Sequence, residues 1–231
     1  MTSITNPSDN CIPSWINTVA SWITIISDTS CLKALGQLWV IGRKLLQGLS
    51  SEGMYEVLDY QTTLEIKDQH GRYAILNKLE KVRYLQNNII AFQDQAWGDG
   101  KILVKYNCTP GVAVDQYRCG SKTFILISLR QVKFKGDVDR FKIEWGIEQG
   151  FLKKDGFWAT EISHHTQQIK IRAIFPKCRP PQRTVIIERN SRKTHFLTKA
   201  AKEQLPDGRW LVTWKSHQPR LYEQYIFHWK W

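Results

Sequence analysis

Apolar positions change their spacing once along this chain, near residue 51, and the change separates two kinds of element. Before it, apolar residues recur every three or four positions. Ile12, Trp15, Ile16, Val19, Trp22, Ile23 and Ile26 form one stripe, while Ser14, Asn17, Thr18, Ser21 and Asp28 lie elsewhere on the wheel. That spacing belongs to an amphipathic helix, and Pro13 is tolerated in a first turn. A second stripe comprises Leu32, Leu35, Leu38, Trp39, Leu45, Leu46 and Leu49, with Thr29 or Ser30 as its N-cap. The pattern predicts two short amphipathic helices over 11–49, joined around 27–30. Gly36 and Gly42, and the β-branched residues of the first stripe, lower helix propensity, so the pair needs a surface to pack on.

From Tyr55 onward the period becomes two. In Thr63-Leu64-Glu65-Ile66-Lys67 polar and apolar residues alternate, Asp68-Gln69-His70-Gly71 signals a turn, and Tyr73 to Leu76 starts a return strand. The same alternation predicts strands over 81–85, 89–92, 102–106, 123–129, 140–147, 158–163, 169–175, 184–189, 210–214 and 225–231. Turn chemistry separates them: Gln86-Asn87-Asn88, Pro110-Gly111, Lys135-Gly136-Asp137, Asp155-Gly156, Pro180-Pro181 and Pro206-Asp207-Gly208. With no helical run between strands there are no crossovers to build parallel βαβ units. The expected fold is mainly β: an antiparallel β-sandwich or closed barrel of roughly 9–12 short strands behind an N-terminal pair of short amphipathic helices. Residues 1–50 form the helical segment and 51–231 the β domain.

Composition adds charge to this picture. The net charge is +12, and residues 1–50 contribute only +1 of it, from Lys33, Arg43 and Lys44 against Asp9 and Asp28. The β domain is therefore the basic part, and an anionic partner is expected: an acidic protein, nucleic acid or an anionic lipid surface. The densest cations are Lys170, Arg172, Lys177, Arg179, Arg183, Arg189, Arg192 and Lys193, with Glu188 the one acid among them. On a strand Lys170 and Arg172 share a face opposite Ile169 and Ile171. Phosphate contacts by such a set confer salt-dependent nucleic-acid affinity. Of the ten tryptophans, Trp145, Trp158, Trp210 and Trp214 fit a sandwich core better than stacking platforms for bases.

In the N-terminal segment, Trp15, Ile16, Val19, Trp22, Ile23, Leu35, Leu38, Trp39, Leu45 and Leu46 form the face that would dock on a protein or rest on a membrane interface. Five cysteines, an odd number without CxxC spacing, argue for reduced thiols and a cytoplasmic home, peripheral to membrane if 11–49 makes that contact. Cys108 and Cys119 are close enough in sequence to meet across a hairpin.

Chemistry has fewer candidates. In the run from Ala91 to Gly100, Asp94, Trp97 and Asp99 sit where a loop could gather carboxylates for a metal or for acid–base work. A hydrolase centred there, with Glu161 or His165, is one reading. His164 and His165 point to opposite faces of a strand and do not share a metal easily. HExxH, GxSxG, GxxxxGK[ST] and GxGxxG do not occur. No cofactor and no metal is expected. The residues favour a non-enzymatic recognition module, with a nucleic-acid-binding protein as the alternative.

Overall fold

Alternation of buried and exposed side chains organises the chain from Tyr55 to its last residue. The computed structural model describes residues 53–98, 101–120 and 122–231. The helical pair expected over 11–49, and Asp99, lie outside the described residues. Fourteen strands occur among those described: β1 (Tyr55–Ile66), β2 (Tyr73–Tyr84), β3 (Ile89–Gly98), β4 (Lys101–Thr109), β5 (Val112–Cys119), β6 (Lys122–Lys133), β7 (Val138–Glu148), β8 (Asp155–Glu161), β9 (Gln168–Phe175), β10 (Arg183–Glu188), β11 (Lys193–Phe196), β12 (Lys202–Gln204), β13 (Trp210–His217) and β14 (Gln224–Lys230). The one helical element described is a 3-10 turn, Lys199–Ala201.

The strands form two seven-stranded sheets rather than a closed barrel. The first runs β12-β13-β9-β1-β2-β7-β4 and the second β11-β10-β14-β8-β3-β6-β5. Pairing is antiparallel with one correction to expectation: β1 and β9 are parallel, Tyr60 facing Ile169 and Glu65 facing Ile174. Alternation specifies which face a strand buries, not the direction of its neighbour, so this pair left no trace in the pattern. Strands β5, β11 and β12 were not expected. Their side chains are mostly exposed, so no buried row marks them. A bulge between Val57 and Asp59 shifts the β1–β2 register. It lets Tyr55 and Val57 face inward together with Tyr60, Thr62 and Leu64.

Between the sheets the inward rows meet. Ile143 and Trp145 of β7, Ile171 and Phe175 of β9, and Phe227 and Trp229 of β14 are buried. Trp229 is the hub of an aromatic group, its ring centroid 5.2 Å from Phe151, 5.5 Å from Phe175 and 5.7 Å from Phe227. Gly156 makes room for it, because a Cβ there would lie 2.5 Å from the indole. Trp145 and Trp158 belong to this core, and Trp210, Trp214 and Trp231 pack against its margin. These tryptophans fill the sandwich or its margin, as the alternation implies.

Cys108 and Cys178 are free thiols. The Cys108–Cys119 bridge is therefore not made, although Cys119 is disulfide-bonded. The reading of all five cysteines as reduced does not hold for Cys119. Among the described residues no helix is long and apolar enough to cross a membrane.

Candidate functional site

Two strands carry charge on the phase that should be apolar. In β2 the inward row reads Ala74, Leu76, Lys78, Glu80, Val82, Tyr84, and in β3 it reads Phe92, Asp94, Ala96. The sandwich brings these rows together across the two sheets, and Lys78 Nζ meets Asp94 Oδ1 at 2.6 Å. Their side chains are only 5% and 1% exposed, so water can satisfy neither, and every lone pair and proton needs a protein partner. Asp94 Oδ2 accepts from Trp145 Nε1 at 2.6 Å and from the Tyr106 hydroxyl at 3.3 Å. Asp94 Oδ1 also accepts from the Gln95 amide at 2.8 Å. Lys78 donates a second bond to the Gln95 carbonyl. Burial works against the charge on Lys78, but Asp94 outweighs it and holds the ammonium above its ordinary range.

Beside this pair a small cleft with about 40 Å³ of free interior, partly open to solvent, separates β1 and β2 from β3 and the end of β8. Tyr55, Tyr60, Glu80, Thr160, Glu161 and His164 are among its lining residues. Most are committed to neighbours. The Tyr60 hydroxyl shares a 2.8 Å hydrogen bond with Thr160 Oγ1, Glu161 is paired with Lys122 at 2.8 Å, and the His164 ring stacks on Tyr55 at 4.0 Å. Burial pushes His164 down to about 4, so it is neutral at pH 7. Glu80 makes no hydrogen bond or ion pair among the described residues. Its carboxyl is pushed up to about 7, first by burial and further by Asp94, against the opposing pull of Lys78.

That shift has a sign. Glu80 binds its proton more tightly folded than unfolded, so its contribution is fully present below about pH 4.5 and is lost as pH rises through about 7. Replacing Glu80 by Gln removes this loss. The variant should be more stable than the parent by on the order of 1–3 kcal/mol at pH 8, and the gain should vanish near pH 4.5. Urea midpoints measured at the two pH values check this. An equal effect at both would contradict it.

The expected loop site resolves differently. Asp94 lies within β3, facing the interior, and four donors occupy its oxygens, leaving it poorly suited to acid–base work. Trp97 is buried, with Lys122 Nζ 4.9 Å above its ring. Among the described residues no group of three His, Cys, Asp or Glu is placed to hold a metal ion.

The eight cations singled out in sequence do not form one patch. Lys170 and Arg172 stand on the outer face of the first sheet, on β9. Arg179 stacks 3.8 Å over Trp231 and donates to the carbonyls of Gln69 and Lys153. Lys177 lies beside Gly208. On β10, at the second sheet, Arg183 lies 5.2 Å over Phe196, and just beyond its end Arg189 donates to Gln224 at 2.9 Å. Arg192 precedes β11 and Lys193 opens it, both exposed.

Registration adds a cation that the sequence stretch lacked. Lys215 of β13 is directly opposite Lys170, and Thr213 opposite Arg172. The same outer face continues through Gln61 of β1 and Leu79 of β2 to Lys142 of β7. None of Lys170, Arg172 and Lys215 has an ion pair among the described residues. Burial lowers the Lys170 pKa, and the adjacent Arg172 and Lys215 lower it further, only Asp59 opposing them. Arg172 is oriented by a 3.0 Å hydrogen bond from its Nε to Thr63 Oγ1.

No protein-family profile matches the sequence, and no curated protein matches it. Among solved structures, the M1 zinc metallopeptidase from Deinococcus radiodurans is similar over 75% of this chain at 8% identity, with a TM-score of 0.42. A mutant of a two-domain M1 zinc metallopeptidase bound to L-tryptophan is similar over 76% at 8% identity, with a TM-score of 0.43. The chain spans 42% of the length of either. Likeness this slight transfers neither fold nor activity.

Proposed function

We propose that this chain is a non-enzymatic recognition module whose β-sandwich binds the acidic face of a partner macromolecule through the outer surface of its first sheet. The observation that carries the reading is the convergence of Lys170, Arg172 and Lys215 on adjacent strands with no direct ion pair among the described residues, Asp59 acting on Lys170 from a distance. Three cations without ion-pair partners on one sheet face repel one another more than Asp59 offsets, and an anionic surface that relieves them is attracted before contact. Residues 1–50, read as a docking segment for a protein or a membrane, would position the module.

Nucleic acid is the weaker second reading. Trp145 and Trp158 are 0% and 2% exposed, and Trp210 and Trp214 lie on the inward phase of β13. None of the four is placed beside the cations as a base-stacking platform.

Poly-glutamate serves as the probe. Binding at low salt should weaken at least about tenfold, about 1.4 kcal/mol, when Lys170, Arg172 and Lys215 are all replaced by Glu. It should also fall steeply with added salt. Reversing Arg189, Arg192 and Lys193 changes net charge equally and should leave most of the binding in place. Equal losses in the two triple variants would reduce the effect to net charge and contradict the reading.

A further inference from the structure

We propose that the cleft between β2 and β8 is a binding site for a small protonated amine, with Glu80 as its anchor. This site is separate from the outer sheet face and does not depend on it.

Charge pairing inside the cleft points to the class of ligand. Lys78 is held by Asp94 and the Gln95 carbonyl, and Lys122 is held by Glu161. An anionic ligand would therefore find both nearby ammonium groups already engaged. Glu80 is the cleft carboxyl that makes no hydrogen bond or ion pair among the described residues, Lys78 acting on it only through space. Tyr55, only 4% exposed, also makes no hydrogen bond among the described residues, and it lines the same cleft. Its pKa is held high by burial and then by the charge of Glu80, which places the phenol in that carboxylate's field. Neither the Glu80 carboxyl nor the Tyr55 hydroxyl is among the fully buried polar atoms that lack a partner, so both are open to the cleft and to what enters it.

A primary ammonium fits this arrangement. It brings the charge that balances ionised Glu80 and three N–H donors, one for the carboxylate and one for the Tyr55 oxygen. The groups facing Glu80 from the packed elements are Lys78 on its own strand, Tyr55 and Tyr60 from β1, Asp94 from β3, and Glu161 and neutral His164 from β8 and the segment after it. Only Lys78 opposes a cation, and Asp94 is paired with it at 2.6 Å. The free interior, about 40 Å³, suits a molecule of a few heavy atoms rather than a peptide.

Binding should follow Glu80 ionisation. Affinity for ethylammonium should rise as pH increases through about 7, and saturating amine should lower the apparent Glu80 pKa. The test uses the full chain with ¹³C-labelled Glu carboxyls, titrated with ethylammonium and, in parallel, with propionamide and acetate. Expected are saturable shifts of the Glu80 carboxyl with ethylammonium, none with acetate, and at least a tenfold loss of affinity in Glu80→Gln. Tyr55→Phe keeps the ring packing and should weaken binding several-fold, so the conclusion does not rest on one variant. Overturning results are ethylammonium binding equally to parent and Glu80→Gln, propionamide binding as well as ethylammonium, or no shift at Glu80 at any amine concentration.

Discussion

Asp94→Ala should destabilise the protein by about 3–5 kcal/mol, enough to unfold a substantial part of the population of a marginally stable domain. Removing the carboxylate strands the Lys78 ammonium between two sheets, 5% exposed, with one backbone carbonyl left to accept from it. It also orphans Trp145 Nε1, whose indole is fully buried. Attraction between the two charges is not the main quantity at stake. An unpaired charge in a dry interior is, and that separates this pair from the surface pairs, whose loss costs a kcal/mol or less. Replacing both partners, Lys78→Met with Asp94→Leu, should therefore recover the part of the loss that the stranded ammonium causes, while Trp145 Nε1 still lacks its acceptor. Equilibrium unfolding in urea of the parent, the single and the double variant measures this. A double variant as unstable as the single one would show that the pair stabilises the fold beyond mutual satisfaction of charge.

A loss of similar size, about 3–5 kcal/mol, is expected for Trp229→Ala. The indole is 0% exposed and is packed against Phe151, Phe175, Phe227 and Trp231. Those aromatic residues belong to both sheets and to the 148–155 connection, so a cavity at this point loosens the sandwich where its layers meet. Backbone pairing on both sides of β14 prevents full collapse around the gap, which puts the cost in the upper part of the range for large core residues. Thermal unfolding followed by tyrosine and tryptophan fluorescence checks it. A shift in Tm of only a degree or two would mean that the aromatic group is not the core's hub.

Much of this architecture is legible in the sequence, for a physical reason. A strand with one face in the core must alternate, and eleven of the strands seen here match alternating runs cut by Asn, Gly and Pro turns, with 73–76 and 81–85 both falling in β2. The docked C-terminus was legible for the same reason: Phe227, Trp229 and Trp231 share one phase. Direction and partner choice were not legible, because the parallel β1–β9 pairing depends on long-range packing. Strands β5, β11 and β12 escaped because both their faces are largely wet.

Candidate sites were harder to read. Proximity in sequence gathered Lys170 through Lys193 into one patch, while the fold spreads them over two sheets and brings in Lys215 from about 40 residues away. Asp94 lies within β3, not in the loop that the run from Ala91 to Gly100 suggests. Its signal, and that of Lys78 and Glu80, was a charge on the inward phase of a strand. Read that way, two adjacent strands each carrying a buried charge of opposite sign would have suggested an interior ion pair. Nothing in the sequence near Tyr55 or Thr160 marks them as cleft residues, since both look like ordinary strand positions.

The proposal that the outer face of the first sheet recognises anionic partners is tested most directly by mapping. In ¹H–¹⁵N spectra of the full chain titrated with poly-glutamate at low salt, amide shifts should concentrate on β9, β13 and the facing part of β1, around Lys170, Arg172 and Lys215, and disappear as salt is raised. Shifts centred on β10, β11 and the turn at Arg192, with β9 and β13 unmoved, would contradict the assignment of that face.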